Sequence, residues 1–267
     1  MEYRQFGDTE LKVSEIGFGA WGIGGDVWGE PNDEESLRAL RRAFDLGVTF
    51  YDTAYVYGDG HSEQLIGKEF AGGRRDEIVI GTKVPPKTFH WPPLASESSR
   101  DSFPADWLRT CTERSLRNLK TDYIDIQQLH CWTDRWLGEP EWLETLQKLR
   151  EEGKIRYFGI SMNDWEPYDG VELVKSGNIK SVQVIYNIFE QRPEEKLFPA
   201  VQENGVGIIA RVPFEEGILT GAITPDTRFA RDDWRKEWLT PERMEEVDRR
   251  VKALHPFLSE DTPDLPT

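Results

Sequence analysis

The chain has 267 residues, of which 37% are hydrophobic and 12% aromatic, and this suits one large α/β domain. Its formal net charge of −16 argues against a nucleic-acid partner, because duplex binding needs a basic surface. With two cysteines, four histidines and no CxxC or HExxH motif, the composition predicts neither a disulfide framework nor a metal site.

Strand-like segments alternate with helix-like segments along the chain. A hairpin is predicted first, from Tyr3–Phe6 and Leu11–Val13, with the Gly7-Asp8 pair at its turn. Seven later segments are short, rich in β-branched residues and almost continuously hydrophobic, as expected for parallel strands buried on both faces. They are Glu15–Ala20, Thr49–Thr53, Ile78–Lys83, Tyr123–Leu129, Ile155–Ser161, Ser181–Tyr186 and Gly207–Val212.

Amphipathic helices are predicted between these strands. The first, Asp33–Leu46, can be capped by Asn32 and ends at Gly47. The others are Ser62–Phe70, Ala105–Leu119, Glu141–Glu152, Tyr168–Lys175, Pro193–Glu203 and Pro241–Leu254.

This regular alternation predicts one parallel sheet with helical crossovers. An open, doubly wound sheet is compatible with the same order, but the clustering of polar residues at strand ends favours a barrel. We therefore predict an α/β fold, a parallel (β/α)8 TIM barrel with an N-terminal β-hairpin, forming a single domain over residues 1–267. Seven βα units are predicted, and the tail Ser259–Thr267 is rich in Pro and acidic residues. We therefore expect the closing C-terminal βα unit to be missing from this chain.

The segment GFGAWG (17–22) matches the G-x-G-x-x-G pattern of dinucleotide-binding Rossmann folds. In those folds the third glycine lies in the opening turn of a helix. Here Ile23–Pro31 separates it from Asn32, so we expect these glycines to let a loop pass close over the mouth of the barrel.

Polar residues stand where the predicted strands end. Asp52 lies at the end of the second parallel strand, Lys83 ends the third, His130 follows the fourth, and Tyr57 lies in the loop after the second. In a barrel all four would meet at the C-terminal face, where active sites are built. One such residue alone is often a structural hydrogen-bonding group, whereas four on one face indicate an active site.

These residue types suit carbonyl reduction. A phenol has a pKa near ~10, and a neighbouring ammonium favours the phenolate and lowers that pKa. Lys83 can supply the ammonium, Asp52 can hold it through a buried ion pair, and His130 can hydrogen-bond the substrate carbonyl beside Tyr57. The hydride cannot come from a side chain, so a nicotinamide cofactor is required.

The run YDTAYVYGDGHSEQLIG (51–67), followed by GTKV (81–84) and DYIDIQQLH (122–130), resembles the aldo-keto reductase family. FGIS (158–161) and GILTG (217–221) extend the resemblance to nearly the whole chain. It implies an NADP(H)-dependent oxidoreductase acting on a small-molecule carbonyl substrate. It also implies a catalytic tetrad of Asp52, Tyr57, Lys83 and His130, in which Tyr57 is the general acid and base.

The same resemblance implies a set of cofactor contacts. Gly19, Ala20 and Trp21 would border the nicotinamide ring, and Ser161 and Gln183 would hydrogen-bond its carboxamide. The loop 211–221 would wrap the pyrophosphate with backbone N–H groups. Its implied contact residues are Arg211, Val212, Pro213, Phe214, Gly217, Leu219 and Gly221.

The chain departs from the family pattern in four places. Met162 stands where Asn is usual, so a carboxamide contact is lost or passes to Asn163. Arg211 replaces the aromatic residue that stacks on the nicotinamide, although a planar guanidinium can also stack. Glu215 and Glu216 place negative charge beside the expected pyrophosphate. The family's basic residues for the NADP 2′-phosphate would lie beyond Thr267, so the preference for NADP over NAD rests on resemblance alone.

Three further segments have two interpretations each. The long loop Pro85–Phe103 either overhangs the site and shapes substrate choice or is a surface excursion. Trp132 and Trp136 either line the pocket or pack between loops. The run Thr227–Trp238 either approaches cofactor or substrate or is a solvated insertion.

Two other functions remain compatible with the sequence: a cofactor-binding regulatory subunit of the same fold with little turnover, and a Schiff-base aldolase using Lys83. An intact tetrad favours the reductase over the first, and a carboxylate partner for Lys83 argues against the second. No apolar run approaches the ~20 residues that span a membrane, and the N-terminus is charged, so we expect a cytoplasmic protein without a membrane partner. Nothing in the sequence indicates an oligomeric state.

Overall fold

The computed structural model describes residues 1–25, 32–231 and 233–265. Residues 26–31 of the predicted linker before the first helix, one position of the run 227–238 and the last two residues of the predicted tail lie outside these ranges. In the described residues no helix is long and apolar enough to cross a membrane.

The strands confirm the predicted hairpin and parallel sheet. Strands β1 (Tyr3–Gln5) and β2 (Lys12–Ser14) pair antiparallel. Seven strands form one parallel sheet in sequence order, so each strand lies beside its successor along the chain. They are β3 (Gly17–Gly19), β4 (Phe50–Asp52), β5 (Val79–Val84), β6 (Ile124–Leu129), β7 (Ile155–Ser161), β8 (Ser181–Ile185) and β9 (Gly207–Arg211).

The helices connect these strands much as predicted. The Asn32 side chain accepts a hydrogen bond from the backbone N–H of Glu35, which confirms the predicted cap. The helices are α1 (Asp33–Asp45), α2 (His61–Phe70), α3 (Ser99–Ser102), α4 (Ala105–Leu119), α5 (Glu141–Glu151), α6 (Val171–Lys175), α7 (Pro193–Glu203), α8 (Arg235–Trp238) and α9 (Pro241–Lys252). Helix α6 begins later than predicted because Gly170, with φ of 142°, interrupts the backbone before Val171.

The parallel sheet is strongly curled. Asp52 in β4 and Gln183 in β8 are four strand positions apart, which in a flat sheet would be about 19 Å. Nevertheless, the Gln183 amide Nε2 lies 2.8 Å from Asp52 Oδ1. The sheet therefore curls around an interior as part of a barrel does, and the open doubly wound alternative is wrong. Strands β3 and β9 form the two unpaired edges within the described sheet.

The hairpin covers the N-terminal end of the curled sheet. Its apolar residues pack against side chains that point into the sheet interior; this cluster is Phe6, Leu11, Val13, Phe50, Val79 and Ile126. The C-terminal strand ends therefore remain the open end, where the predicted polar residues lie.

Gly207 is the point where β9 passes closest to the hairpin. A Cβ added there would lie 2.4 Å from the Phe6 ring, so we expect Gly207→Ala to lower the free energy of unfolding by about 1–3 kcal/mol. Urea denaturation would measure the change. Gly138→Ala, where an added Cβ meets nothing within 4 Å, is the matched control. Equal stability of the two variants would contradict this packing.

Candidate active site

A cavity of about 1400 Å3 opens at the C-terminal ends of the strands. Side chains from β4 and β8, the loops after β3, β4 and β6, and the loop after β9 line it. The cavity continues down between the edge strands β3 and β9 toward Phe6 and Val13 of the hairpin. Of the four residues predicted for catalysis, Asp52, Tyr57 and His130 line the cavity, and Lys83 lies behind them.

Lys83 lies beneath the cavity wall and is fully buried. Its Nζ is 2.8 Å from Asp52 Oδ2 and donates to the Thr53 carbonyl oxygen at 2.7 Å. The Tyr57 hydroxyl oxygen is its third neighbour, at 3.4 Å. The predicted ion pair is therefore present, and it directs an ammonium at the phenol.

Burial changes the electrostatics that the sequence predicts. Burial raises the pKa of Tyr57 above the ordinary phenol value, and the opposing effect of Lys83 is smaller. Burial by itself would lower the pKa of Lys83, but Asp52 and Tyr57 outweigh it, and the pKa of the ammonium is raised. At neutral pH the site thus holds a protonated phenol beside a charged lysine.

His130 completes the group beside Tyr57. The two rings are 6.0 Å apart between centroids and meet edge to face at 76°. Burial, with Lys83 and Arg211 nearby, lowers the pKa of His130 well below its ordinary value, so the imidazole is neutral at pH 7. Its Nδ1 is buried and has no hydrogen-bond partner within the described part of the chain.

Three tryptophans surround the phenol and the imidazole. Trp21 stacks on Tyr57 at 6.1 Å between ring centroids, and Trp234 stacks on the far side of Trp21 at 6.2 Å. Trp91 meets His130 edge to face at 5.9 Å, and its indole Nε1 donates to the His130 carbonyl oxygen at 2.9 Å. The loop 85–103 therefore overhangs the site, as the first of its two interpretations proposed.

The glycines of segment 17–22 do not open a helix. The first helix begins at Asp33, well beyond Gly22, and the parallel sheet is curled rather than doubly wound. The loop after β3 instead passes close over the site, since a Cβ on Gly24 would lie 2.8 Å from the carbonyl carbon of Tyr57.

Ser161, Gln183 and Asn163 form a polar wall of the same cavity. The Ser161 hydroxyl lies 3.5 Å from Gln183 Oε1. Asn163 Nδ2 donates to the Trp132 carbonyl oxygen at 2.7 Å and to Glu166, whereas Asn163 Oδ1 is buried without a partner among the described residues. Asn163 therefore offers an acceptor to the cavity next to the fully buried Met162.

The loop after β9 turns tightly through several left-handed residues, which include Val212, Glu215, Glu216 and Gly217. Most of its backbone N–H groups are used within the loop, for example from Gly217 to Phe214 at 3.0 Å. The N–H groups of Phe214 and Glu216 have no acceptor in the part of the chain that the structure describes. These two amides are available to a ligand, and so is the N–H group of Val212, which also has no acceptor among the described residues.

Arg211 and Glu216 bring opposite charges to this side of the cavity. The Arg211 guanidinium donates to the Met162 carbonyl oxygen at 3.1 Å and to Asp164 at 2.5 Å. Its Nε is buried without a partner within the described residues. Burial raises the pKa of Glu216 to about 7, against the effect of Arg211.

The structure brings together most of the predicted site. Asp52, Tyr57 and His130 line the cavity. Of the twelve residues predicted to contact cofactor, ten line it as well, and Leu219 and Gly221 lie outside the described lining. Leu219 is buried and Gly221 exposed.

The structure decides between the two interpretations of the tryptophan pair and of the run 227–238. Trp132 and Trp136 are fully buried and meet edge to face at 5.7 Å, so they pack between loops and do not line the pocket. In the run 227–238 Arg235 lines the cavity and donates to the Glu216 carbonyl oxygen at 3.2 Å. Cys131 is fully buried.

Sequence reasoning missed two neighbours of this site. Asp164 pairs with Arg211, and Trp234 extends the stack on Trp21. Trp234 carries no motif, and only its position within a basic run near the site drew attention to its segment.

Comparison with known proteins agrees with this geometry. A family model described as the Aldo/keto reductase family matches residues 15–257. The aldo-keto reductase YhdN of Bacillus subtilis (strain 168) is 34% identical over 238 residues, which are 88% of this chain and 69% of that protein. The solved holo form of aldo-keto reductase AKR11C1 from Bacillus halodurans superimposes with a TM-score of 0.73 and 30% identity, over 99% of this chain and 79% of that one.

The names of two other relatives mention a cofactor. Aldo-keto reductase yakc [NADP(+)] of Schizosaccharomyces pombe is 33% identical, over 84% of this chain and 65% of that protein. The NADH-specific methylglyoxal reductase of Escherichia coli (strain K12) is 27% identical, over 98% of this chain and 82% of that protein. With a matching family model over residues 15–257 and relatives above 30% identity, the chain belongs to the aldo/keto reductase family of oxidoreductases.

Proposed function

We propose that this chain reduces an aldehyde or ketone to an alcohol, with Tyr57 as the general acid and NADP(H) as the cofactor. The observation that carries the proposal is the buried chain of contacts from Asp52 through Lys83 to the Tyr57 hydroxyl, at 2.8 and 3.4 Å, at the wall of a large cavity. A protonated phenol beside a fixed ammonium is a proton donor whose conjugate base is stabilised where it forms.

In the proposed reaction the substrate oxygen lies between Tyr57 and His130. The neutral imidazole of His130 donates a hydrogen bond that orients the carbonyl and polarises it. A nicotinamide cofactor held by the residues of this cavity would supply the hydride, which no side chain can give. Tyr57 gives its proton to the oxygen, Lys83 stabilises the phenolate that remains, and the alcohol leaves before solvent reprotonates Tyr57.

The residues of the cavity fit a nicotinamide cofactor. Both Asn163 and Arg211 line the cavity, and Asn163 Oδ1, an acceptor, and Arg211 Nε, a donor, have no partner among the described residues, which fits a carboxamide ligand. The free N–H groups of Phe214 and Glu216 suit anionic oxygens. The family resemblance implies that Arg211 occupies the stacking position, and its planar guanidinium would be able to stack on the ring.

The choice of NADP over NAD is the finer part of the proposal. It follows the relative whose name carries NADP(+), and another relative is named as NADH-specific. The chain must therefore be tested with both cofactors.

The test begins with fluorescence titration of NADPH and NADH, followed by turnover with a panel of aldehydes and ketones. We expect NADPH to bind more tightly and to support reduction. Binding without turnover would leave the regulatory subunit as the better description, and no binding of either cofactor would contradict the proposal. Borohydride trapping of a carbonyl substrate on Lys83 would favour an aldolase, which the charged Asp52–Lys83 pair argues against.

Cofactor affinity is expected to fall as the pH rises through about 7, because Glu216 then becomes a carboxylate beside the pyrophosphate site. Its charged neighbours are Arg211, Glu215, Asp164 and Arg235. We expect the Kd of NADPH to be about 3- to 10-fold lower at pH 6.5 than at pH 8.5.

Fluorescence titrations at both pH values would measure this change. Glu216→Gln is the control, since it keeps the shape of the loop and removes the titrating group. The same pH dependence in Glu216→Gln would assign it to another group, such as the cofactor's own phosphate.

A further inference from the structure

Gln183 makes a hydrogen bond that crosses the interior of the barrel. Its Nε2 donates to Asp52 Oδ1 at 2.8 Å, while the other oxygen of Asp52 receives Lys83 Nζ at 2.8 Å. Gln183 is almost fully buried, and Asp52 is partly buried. The two oxygens of one carboxylate thus serve two partners that come from different strands.

This bond fixes the orientation of the Gln183 amide. An ionised carboxylate only accepts hydrogen bonds, so the amide must turn its NH2 group to Asp52. Gln183 Oε1 then points away from Asp52, and the Ser161 hydroxyl lies 3.5 Å from it. The acceptor of the side chain therefore faces the polar wall proposed for the carboxamide, while its donor is committed to the ion pair.

A continuous series of polar contacts results, from Ser161 through Gln183, Asp52 and Lys83 to Tyr57. We propose that Gln183 is a positioning residue for proton transfer, which fixes Asp52 so that Lys83 keeps its ammonium directed at the Tyr57 hydroxyl. The inference rests on the proposed reductase function, and it goes beyond a role for Gln183 as a carboxamide contact.

The physical reason is the geometry of the carboxylate. A hydrogen bond to a charged acceptor is roughly twice as strong as a neutral one, and this one prevents Asp52 from rotating toward the water of the cavity. Without it Asp52 can turn away from Lys83. A buried ammonium that loses its counter-ion gives up its proton more readily, and a neutral Lys83 no longer stabilises a phenolate on Tyr57.

Gln183→Met tests this directly, because methionine has a similar length and no donor. In the protein without cofactor, NMR of lysine labelled with 13C at Cε, assigned with Lys83→Met, follows the titration of Lys83. We expect the Lys83 signal to titrate at least ~1 pH unit lower in Gln183→Met than in the unmodified protein. With cofactor, we expect kcat for carbonyl reduction to fall about 10-fold and KM for the carbonyl substrate to stay within about twofold.

Gln128→Met is the matched control. Gln128 is another buried glutamine, in β6, where it is the register partner of Lys83 in β5. Its Nε2 donates to Ser181 Oγ at 2.8 Å and to the Ile160 carbonyl oxygen at 3.3 Å, so its side-chain amide is not bonded to Asp52. We expect Lys83 in Gln128→Met to titrate at the same pH as in the unmodified protein. A shift as large as that in Gln183→Met would overturn the proposal, because it would show that loss of any polar side chain from the core has this effect. A change in the Kd of NADPH alone in Gln183→Met, with Lys83 titration and kcat unchanged, would also overturn it.

Gln183→Glu keeps the test decisive if the methionine variant does not fold. A glutamic acid of the same size donates to Asp52 only when protonated, so we expect its kcat to recover toward the unmodified value as the pH is lowered. Absence of that recovery would overturn the positioning role. The Lys83 titration is measured without turnover, so it tests this inference even if the protein is not a reductase. Failure of the reductase proposal would instead appear as an inactive unmodified protein.

Discussion

Tyr57→Phe is expected to lower kcat for carbonyl reduction by about 10²- to 10⁴-fold, the usual contribution of a positioned general acid. Phenylalanine keeps the ring that stacks on Trp21, so the cavity wall and the affinity for NADPH should change little. Only the hydroxyl next to Lys83 Nζ is removed. Stopped-flow measurement of NADPH oxidation would give kcat, and fluorescence titration would give Kd.

Tyr55→Phe is the control for this experiment. Tyr55 lies two residues away on the same loop, but its hydroxyl contacts Arg114 on the outer side of the barrel. We expect kcat of Tyr55→Phe to remain within about threefold of the unmodified protein, since it is outside the site. Comparable losses in both variants would mean that the loop, and not the Tyr57 proton, limits turnover.

Lys83→Met should have a second large effect, on stability as well as on activity. It leaves the Asp52 carboxylate without its cationic partner, and removal of one member of a buried ion pair costs about 3–5 kcal/mol. Loss of the ammonium that stabilises the phenolate should also lower kcat by at least about 10³-fold. Chemical denaturation and steady-state kinetics would measure the two effects separately.

The double variant Asp52→Asn/Lys83→Met separates them further. Without the unpaired charge, the free energy of unfolding should recover by about 2 kcal/mol or more relative to Lys83→Met. Activity should not recover, because neither neutral side chain can stabilise the Tyr57 phenolate. A double variant with restored turnover would be inconsistent with the assigned role of Lys83.

The strands and helices that show a local hydrophobic pattern were predictable from the sequence. Buried parallel strands give short apolar runs, and this is why β7 was located to the residue and the other strands to within one or two. The tetrad was predictable for a related reason, since strand-end residues of a barrel must share one face. Helices α3 and α8 were not predicted, because four residues are too few to show a helical period.

Features that depend on how strongly the sheet curls could not be predicted from the sequence. The contact between Gln183 and Asp52 joins residues 131 positions apart, and it exists only because the sheet curls by a particular amount. The sequence also predicted a lowered pKa for Tyr57, because it shows the neighbouring Lys83. It does not show how deeply the phenol is buried, and burial outweighs Lys83 and raises this pKa. Likewise, the packing of Trp132 against Trp136 is decided by loop geometry.

The hydrogen bond from Trp91 to the backbone carbonyl of His130 has a consequence for engineering and for divergence of this enzyme. The loop that overhangs the cavity is thereby bonded to the main chain of His130, the residue that we propose orients the substrate oxygen. A graft that replaces this loop to change substrate range will therefore also disturb the imidazole, unless it retains an indole at position 91. In libraries of loop variants, a change in substrate range should therefore be accompanied by a change in kcat. Variants that keep Trp91 should be able to change substrate range without a change in kcat.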